Sequence, residues 1–179
     1  MLGRTFYIYT SDMEDKIIVR RATEADCTLI RSLAERIFPC TYRGIITDEQ
    51  IAYMMEWMYA PENIRRQMEE GHVYHIVLRD GEPAGYVSVR PDGADCFHLE
   101  KIYVLPECQK TGCGSVLFRA AVDYVKGQHP LPCALELNVN RHNPALGFYR
   151  RMGMRIHREG DFPIGNGFFM NDYIMRMEL

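Results

Sequence analysis

The chain lacks any long apolar run. Across its 179 residues the longest unbroken apolar stretch is Ile51–Met55. A membrane-spanning helix needs about 20 such residues, so no spanning helix and no membrane partner are expected. No apolar segment of the signal-peptide kind follows the N-terminal Met, so no secretory signal is expected either. An excess of positive charge is also missing. Lys and Arg number 21 against 24 Asp and Glu, for a formal net charge of −3. Nucleic-acid binders usually carry a basic excess or stripe, so nucleic acid is excluded as the expected partner. The basic pairs Arg20-Arg21, Arg65-Arg66 and Arg150-Arg151 read as solvated surface. None of the six cysteines (Cys27, Cys40, Cys96, Cys108, Cys113, Cys133) stands in a C-x-x-C pair, and no Cys/His cluster has zinc spacing. No metal is expected, and the thiols read as reduced, in the cytoplasm. Repeats and interdomain linkers are absent as well. What remains, 47% hydrophobic and 25% charged residues, is ordinary for one globular domain.

Residues 1–15 hold the aromatic patch Phe6-Tyr7-Ile8-Tyr9 and read either as a leader or as an extra strand; residues 16–179 read as a single domain. Ile17–Val19 suits a strand. Thr23-Glu24-Ala25-Asp26 has the form of a capping box, opening a helix whose stripe is Leu29, Ile30, Leu33 and Ile37 and which Pro39 ends. Asp48 is placed to cap a second helix through Met58, and Pro61 starts another turn or two through Ile64 and Met68 that Gly71 stops. Ile51–Ala60 is apolar except for Glu56, which suits core packing, or a methionine-rich substrate or dimer wall. Strands follow at Val73–Leu78 and Ala84–Val89, joined by the turn Asp80-Gly81-Glu82-Pro83, and at Phe97–Val104. A helix over Ser115–Lys126 ends at Gly127. The chain closes with a strand Ala134–Val139, a helix Pro144–Met152, and strands near Met154–His157 and Phe168–Met177. The order β-α-α-β-β-β-α-β-α-β-β predicts a mixed α/β domain built on one sheet.

The chemistry concentrates in Leu99–Leu117. A strand runs out at Val104, and Gln109-Lys110-Thr111-Gly112-Cys113-Gly114 opens directly into an amphipathic helix. Glycines at such a turn let backbone N–H groups converge, and the helix N-terminus adds partial positive charge, which suits a phosphate. The bare Gly-x-Gly also suits a tight turn with positive φ. A P-loop would need a Lys before Ser115, and a dinucleotide fingerprint would need a small residue where Leu117 stands, so neither nucleotide motif fits. Glu100, on the strand that ends at this loop, is a candidate general base. Period two places it on the face of Ile102 and Val104, and it equally suits a salt bridge with Lys101 or Arg90. His98 is a candidate relay. Cys113, at a helix N-terminus, or Cys108 raises the alternative of a redox-active thiol.

The turn has the form Gln/Arg-x-x-Gly-x-Gly/Ala of an acyl-CoA pyrophosphate loop. A second patch, Leu135–Gly153, carries Asn143, Ala145, Phe148, Tyr149 and Gly153, close to the pattern Asn-x-x-Ala-x-x-Phe-Tyr-x-x-x-Gly-Phe; the Ala falls one place early and Met154 replaces the last Phe. With both motifs in order, the sequence resembles the GNAT superfamily of N-acetyltransferases from about Ile17 to its end. The resemblance implies a mostly antiparallel sheet with helices on both faces and its fourth and fifth strands, Phe97–Val104 and Ala134–Val139, splayed apart. It implies acetyl-CoA as co-substrate and a primary amine as acceptor, attacked directly. Backbone groups of Ile102, Tyr103 and Val104 would hold the pantetheine arm. The amides of Gln109, Lys110, Gly112, Cys113, Gly114 and Ser115 would cradle the pyrophosphate. Asn138, Asn143 and Phe148 would lie along the same cofactor, Tyr149 would be the general acid, and Glu100 a base acting through water. The ending Gly165-Asn166-Gly167-Phe168 with Asn171–Met175 resembles members likened to bacterial polyamine acetyltransferases. Tyr42, Tyr53, Trp57, Tyr74, Tyr86 and Tyr173, with Glu49, Glu56 and Asp172, are available to line an acceptor slot. A peptide amine, or a non-catalytic acyl-CoA sensor, are the alternatives.

Overall fold

The computed structural model describes residues 6–10 and 16–179. Eight strands are described: β1 (Phe6–Thr10), β2 (Lys16–Arg21), β3 (Val73–Arg79), β4 (Glu82–Pro91), β5 (Cys96–Val104), β6 (Ala134–Asn140), β7 (Arg155–Gly165) and β8 (Phe168–Glu178). They form one sheet in the order β1-β2-β3-β4-β5-β6-β8-β7. Every described neighbour pair is antiparallel except β5 with β6. Within the first fifteen residues, Phe6–Thr10 pair with β2; the rest of that segment lies outside the described residues.

Five helices cover the two faces: α1 (Cys27–Tyr42), α2 (Asp48–Tyr59), α3 (Pro61–Glu69), α4 (Cys113–Gln128) and α5 (Leu146–Arg151). On one face Val116, Leu117, Ala120, Ala121 and Val125 of α4 pack onto Val87, Val89, Leu99, Leu135 and Leu137 of the sheet. On the other, Ile30, Ile37 and Phe38 of α1, with Ile51, Met54 and Tyr59 of α2, pack onto Ile76 and Tyr86. The methionine-rich helix thus turns its apolar stripe into the core; of its large apolar side chains only Trp57 is notably exposed, at 45%. The result is the expected mixed α/β sheet with helices on both faces.

Several boundaries differ from the sequence pattern, each for a local reason. Helix α1 runs past Pro39 to Tyr42. A proline near a helix end removes only one backbone bond, and burial of Phe38 and Tyr42 holds the last turn in place. Thr47, not Asp48, caps α2: its hydroxyl accepts from the Gln50 N–H at 3.1 Å. Gly127 lies inside the last turn of α4, where a glycine costs only about 1 kcal/mol. Helix α5 begins at Leu146. Asn143 still caps the segment, since its Oδ1 accepts from the Ala145 N–H at 2.9 Å, but it closes a turn ahead of the helix. Strand β7 extends to Gly165, well past His157. Its residues are largely exposed at the sheet edge, so no apolar alternation marks them.

At Thr23 the expected box forms: the Thr23 N–H donates to the Asp26 carboxylate at 2.9 Å. Arg20 then forks onto the same carboxylate at 2.6 and 2.9 Å, so this arginine is an ion-pair partner rather than a free surface cation.

Gly85 sits in β4 opposite Val104, where the backbones approach so closely that a Cβ would collide with the Tyr103 carbonyl oxygen. Gly85→Ala should therefore lower stability by roughly 1–3 kcal/mol, read as a drop in the urea midpoint. An unchanged midpoint would contradict the close approach.

Candidate active site

The site begins where a strand pair stops. β5 and β6 run parallel and are in register only over Cys96–His98 with Ala134–Glu136. Beyond that point they part. The gap widens into a cavity of about 630 Å³ lined by Leu99–Val104 from β5 and Leu137–Val139 from β6. Strands that separate inside a sheet leave inward-facing N–H and C=O groups without a ladder, a cost that a bound backbone-like partner would remove.

The loop after β5 closes one end. Lys110 and Gly112 both take positive φ, 64° and 97°, and Gly112 is the N-cap of α4. The first intrahelical bond runs from Val116 to the Gly112 carbonyl at 3.0 Å. The N–H groups of Cys113, Gly114 and Ser115, in the first turn, therefore have no intrahelical acceptor. Thr111 braces the loop by donating to the Cys108 carbonyl at 2.7 Å, and Gln109 Nε2 reaches back to the Val104 carbonyl at 3.3 Å. Gly114 lets α4 lie against Phe148, which stands edge-on to Phe118 and Tyr149.

Of the fourteen residues that the resemblance assigns to acid–base chemistry or to the co-substrate, thirteen meet at this cavity: Glu100, Ile102, Tyr103, Val104, Gln109, Lys110, Gly112, Gly114, Ser115, Asn138, Asn143, Phe148 and Tyr149. Cys113 is not among the residues that line it. Its side chain is fully buried in the core, and burial pushes its thiol up despite a hydrogen bond from Thr111. For Cys113 the reactive-thiol alternative is thereby corrected: the helix end faces the cavity, whereas the sulfur faces the core; Cys108 is half-buried.

Glu100 also departs from the period-two argument. Ser88 pairs with Lys101 and Val89 with Leu99, so Glu100 is the extra residue of a β-bulge. Leu99, Ile102 and Val104 pack with the α4 core, and Lys101 turns the other way. Burial would raise the Glu100 carboxyl, but the cationic neighbours outweigh it and hold it below the usual range. Among them Arg90 donates to it at 2.6 Å. The salt-bridge reading of Glu100 is thus realised in the structure. Lys101 is buried beside the rings of Tyr59 and Tyr74, donates to Gln67 Oε1 at 2.9 Å, and is pulled down by burial to about 8. Burial also lowers His98. Tyr149 is 7% exposed and burial raises its phenol, so it stays protonated at neutral pH.

Of the aromatics proposed for an acceptor slot, Tyr42 lines the cavity, its hydroxyl 3.3 Å from that of Tyr103. Tyr74 and Tyr86 are buried in the α1–α3 core, and Tyr53 bonds the Ile164 carbonyl and stacks on Trp57. Arg151, read with Arg150 as solvated surface, lines the cavity. Nothing in its local pattern separates it from Arg150; only the fold does. No described helix is long and apolar enough to cross a membrane, and the described residues hold no cluster of three or more His, Cys, Asp or Glu placed to bind a metal ion.

Comparison with known proteins agrees with this geometry. The model of the acetyltransferase (GNAT) family matches residues 31–154. The fold is similar to that of a PaiA N-acetyltransferase from Thermoplasma acidophilum, solved with coenzyme A, at 21% identity and TM-score 0.75 over 91% of this chain and 99% of that one. It is similar to a GCN5-related N-acetyltransferase from Rhodopseudomonas palustris at 17% identity and TM-score 0.74, over 90% and 94% of the two chains. It is also similar to the ribosomal-protein-S18-alanine N-acetyltransferase of Escherichia coli at 15% identity and TM-score 0.67, over 90% and 93%.

All six cysteines are free, and they differ in access. A thiol reagent should label exposed Cys40, which lines the cavity, first, and should reach Cys27, Cys113 and Cys133 only on unfolding. Mass mapping of the labelled peptides checks this; early labelling of Cys113 would contradict its placement.

Proposed function

The chain belongs to the acetyltransferase (GNAT) family, and on that premise we propose that it transfers an acetyl group from acetyl-CoA to a primary amine, a small polyamine-like amine being the favoured acceptor. The observation that carries this reading is the parallel pair that opens after three residues, with the loop Lys110–Ser115 at one end of the opening and Tyr149 on its wall. The residues present fit the co-substrate. The loop offers converging N–H groups at a helix N-terminus for a pyrophosphate, Lys110 and Arg151 add positive charge, and the open edge of β5 offers Ile102, Tyr103 and Val104 to an amide-bearing arm. Asn143 and Phe148 form the opposite side. When bound, acetyl-CoA supplies an activated thioester.

This chain's residues then have two tasks. One is to take a proton from the amine, because an ammonium nitrogen has no free lone pair. Glu100 is ionised at neutral pH and accepts that proton through water. Its pairing with Arg90 makes it a weak base, so it works as one stage of a relay to solvent. The other task is to supply a proton where the sulfur departs. Tyr149 Oη carries that proton, and burial keeps it in place until it is needed. A cytoplasmic setting belongs to this reading, in keeping with six free thiols.

The experiment is product detection by mass spectrometry with acetyl-CoA and a panel of polyamines, amino acids, aminoglycosides and short peptides. An acetylated amine is expected. Acetyl-CoA binding without product on any amine would contradict the reading and favour a sensor. Tyr149→Phe should lower kcat roughly 100-fold with the KM for acetyl-CoA little changed; unchanged kcat would remove Tyr149 from proton transfer.

A further inference from the structure

Asp172 is a buried acid that the chemistry above leaves unused. It is 4% exposed and stands in β8 opposite Asn140 of β6 and Gly160 of β7. Alternation along β8 puts it on the face of Met170, which packs in the core beneath α1 and α2. Its Oδ2 takes one long hydrogen bond, 3.4 Å, from Asn138 Nδ2. Its Oδ1 is buried with no hydrogen-bond partner among the described residues. Arg141 bears on its charge, but the Arg141 Nη2 is taken by Asp161 at 2.8 Å and by the Gly160 carbonyl at 3.1 Å. Burial raises the Asp172 carboxyl to about 6, against the opposing pulls of Asn138 and Arg141. A buried carboxylate satisfied on one side only is costly, and its open oxygen needs an explanation.

Asn138 links it to the cavity. This residue is exposed on the cavity wall. A carboxylate only accepts, so it must face the amide N–H₂ of Asn138, and the Asn138 Oδ1 on the other branch is left to accept from a donor. The neighbours Leu137 and Val139 pack into the α4 core, so the Asn138 side chain stands on the opposite face, with Tyr42 and Tyr103. Tyr42 also lines the cavity, and its phenol is raised to about 12 by burial, with the charge of Asp172 adding to the effect. A fixed negative charge thus lies one side chain behind the α1 face of the opening.

We propose that Asp172, acting through Asn138, is the positioning residue that selects a positively charged acceptor. Asn138 Oδ1 takes an N–H of the acceptor, and the carboxylate behind it favours a cation at that place. An uncharged acceptor gains nothing from the charge. The inference rests on the acetyl-transfer reading and narrows its substrate class.

The test compares two acceptors at pH 8, an alkyl diamine that is cationic and an aromatic amine that is neutral. Asp172→Asn keeps the size and removes the charge. It should raise the KM for the diamine roughly tenfold and leave the KM for acetyl-CoA, and kcat/KM for the aromatic amine, within about twofold. Asp172→Glu should keep the preference for the diamine, and Asn138→Ala should lose it; Asn138→Ala carries the test if Asp172→Asn does not fold. An unchanged KM for the diamine, or an equal loss with both acceptors, would overturn the inference and leave acetyl transfer standing. No product from either acceptor with wild-type protein that binds acetyl-CoA would overturn acetyl transfer itself, and the inference with it.

Discussion

A parallel strand pair that holds for three residues and then lets go governs the rest of this molecule. Backbone groups inside a sheet are normally paired, and each one left buried and unpaired costs about 1–3 kcal/mol. Opening a sheet in its middle is therefore tolerated only where the surroundings hold the strands apart and water or a ligand satisfies them. Here β5 is held from its other side by β4 along Gly85–Pro91, and β6 is held by β8 along its whole length. The two strands are anchored outward and free inward. The cavity, the loop at its end and the tyrosine on its wall all follow from that asymmetry.

The bulge at Glu100 belongs to the same device. One extra residue in β5 changes which face each later side chain takes. It sends Lys101 into the aromatic pocket of Tyr59 and Tyr74 and returns Ile102 to the α4 core. It also sets Glu100 beside Arg90, at the cavity wall. Shape and electrostatics are thus coupled: the residue that disturbs the ladder also bears the charge.

Much of this was legible in the sequence where the signal was local. The loop was readable because Gly112 and Gly114 stand at a strand-to-helix turn, and the structure gives Gly112 the positive φ that the turn requires. The two-faced sheet was readable from strand and helix order. What failed was whatever depended on distant contacts. Pro39 reads as a stop, yet tertiary burial of Phe38 and Tyr42 carries α1 past it. Glu100 reads as period two, yet the bulge is a property of the β4–β5 pair and not of β5 alone. Cys113 reads as an activated thiol, yet its rotamer points into the core. Arg151 reads as solvated surface and Asp172 as one of three acids available to an acceptor slot; which of them reach the site depends on how α5 and β8 pack against strands far away in the chain.

The central claim is that the open inner edges of β5 and β6, with the Lys110–Ser115 loop, receive acetyl-CoA. Amide hydrogen exchange with and without acetyl-CoA tests it most directly. The account predicts slowed exchange in Leu99–Val104, Lys110–Ser115 and Leu137–Val139, with little change in β3 and β7. Protection elsewhere, with those three segments unchanged, would contradict it.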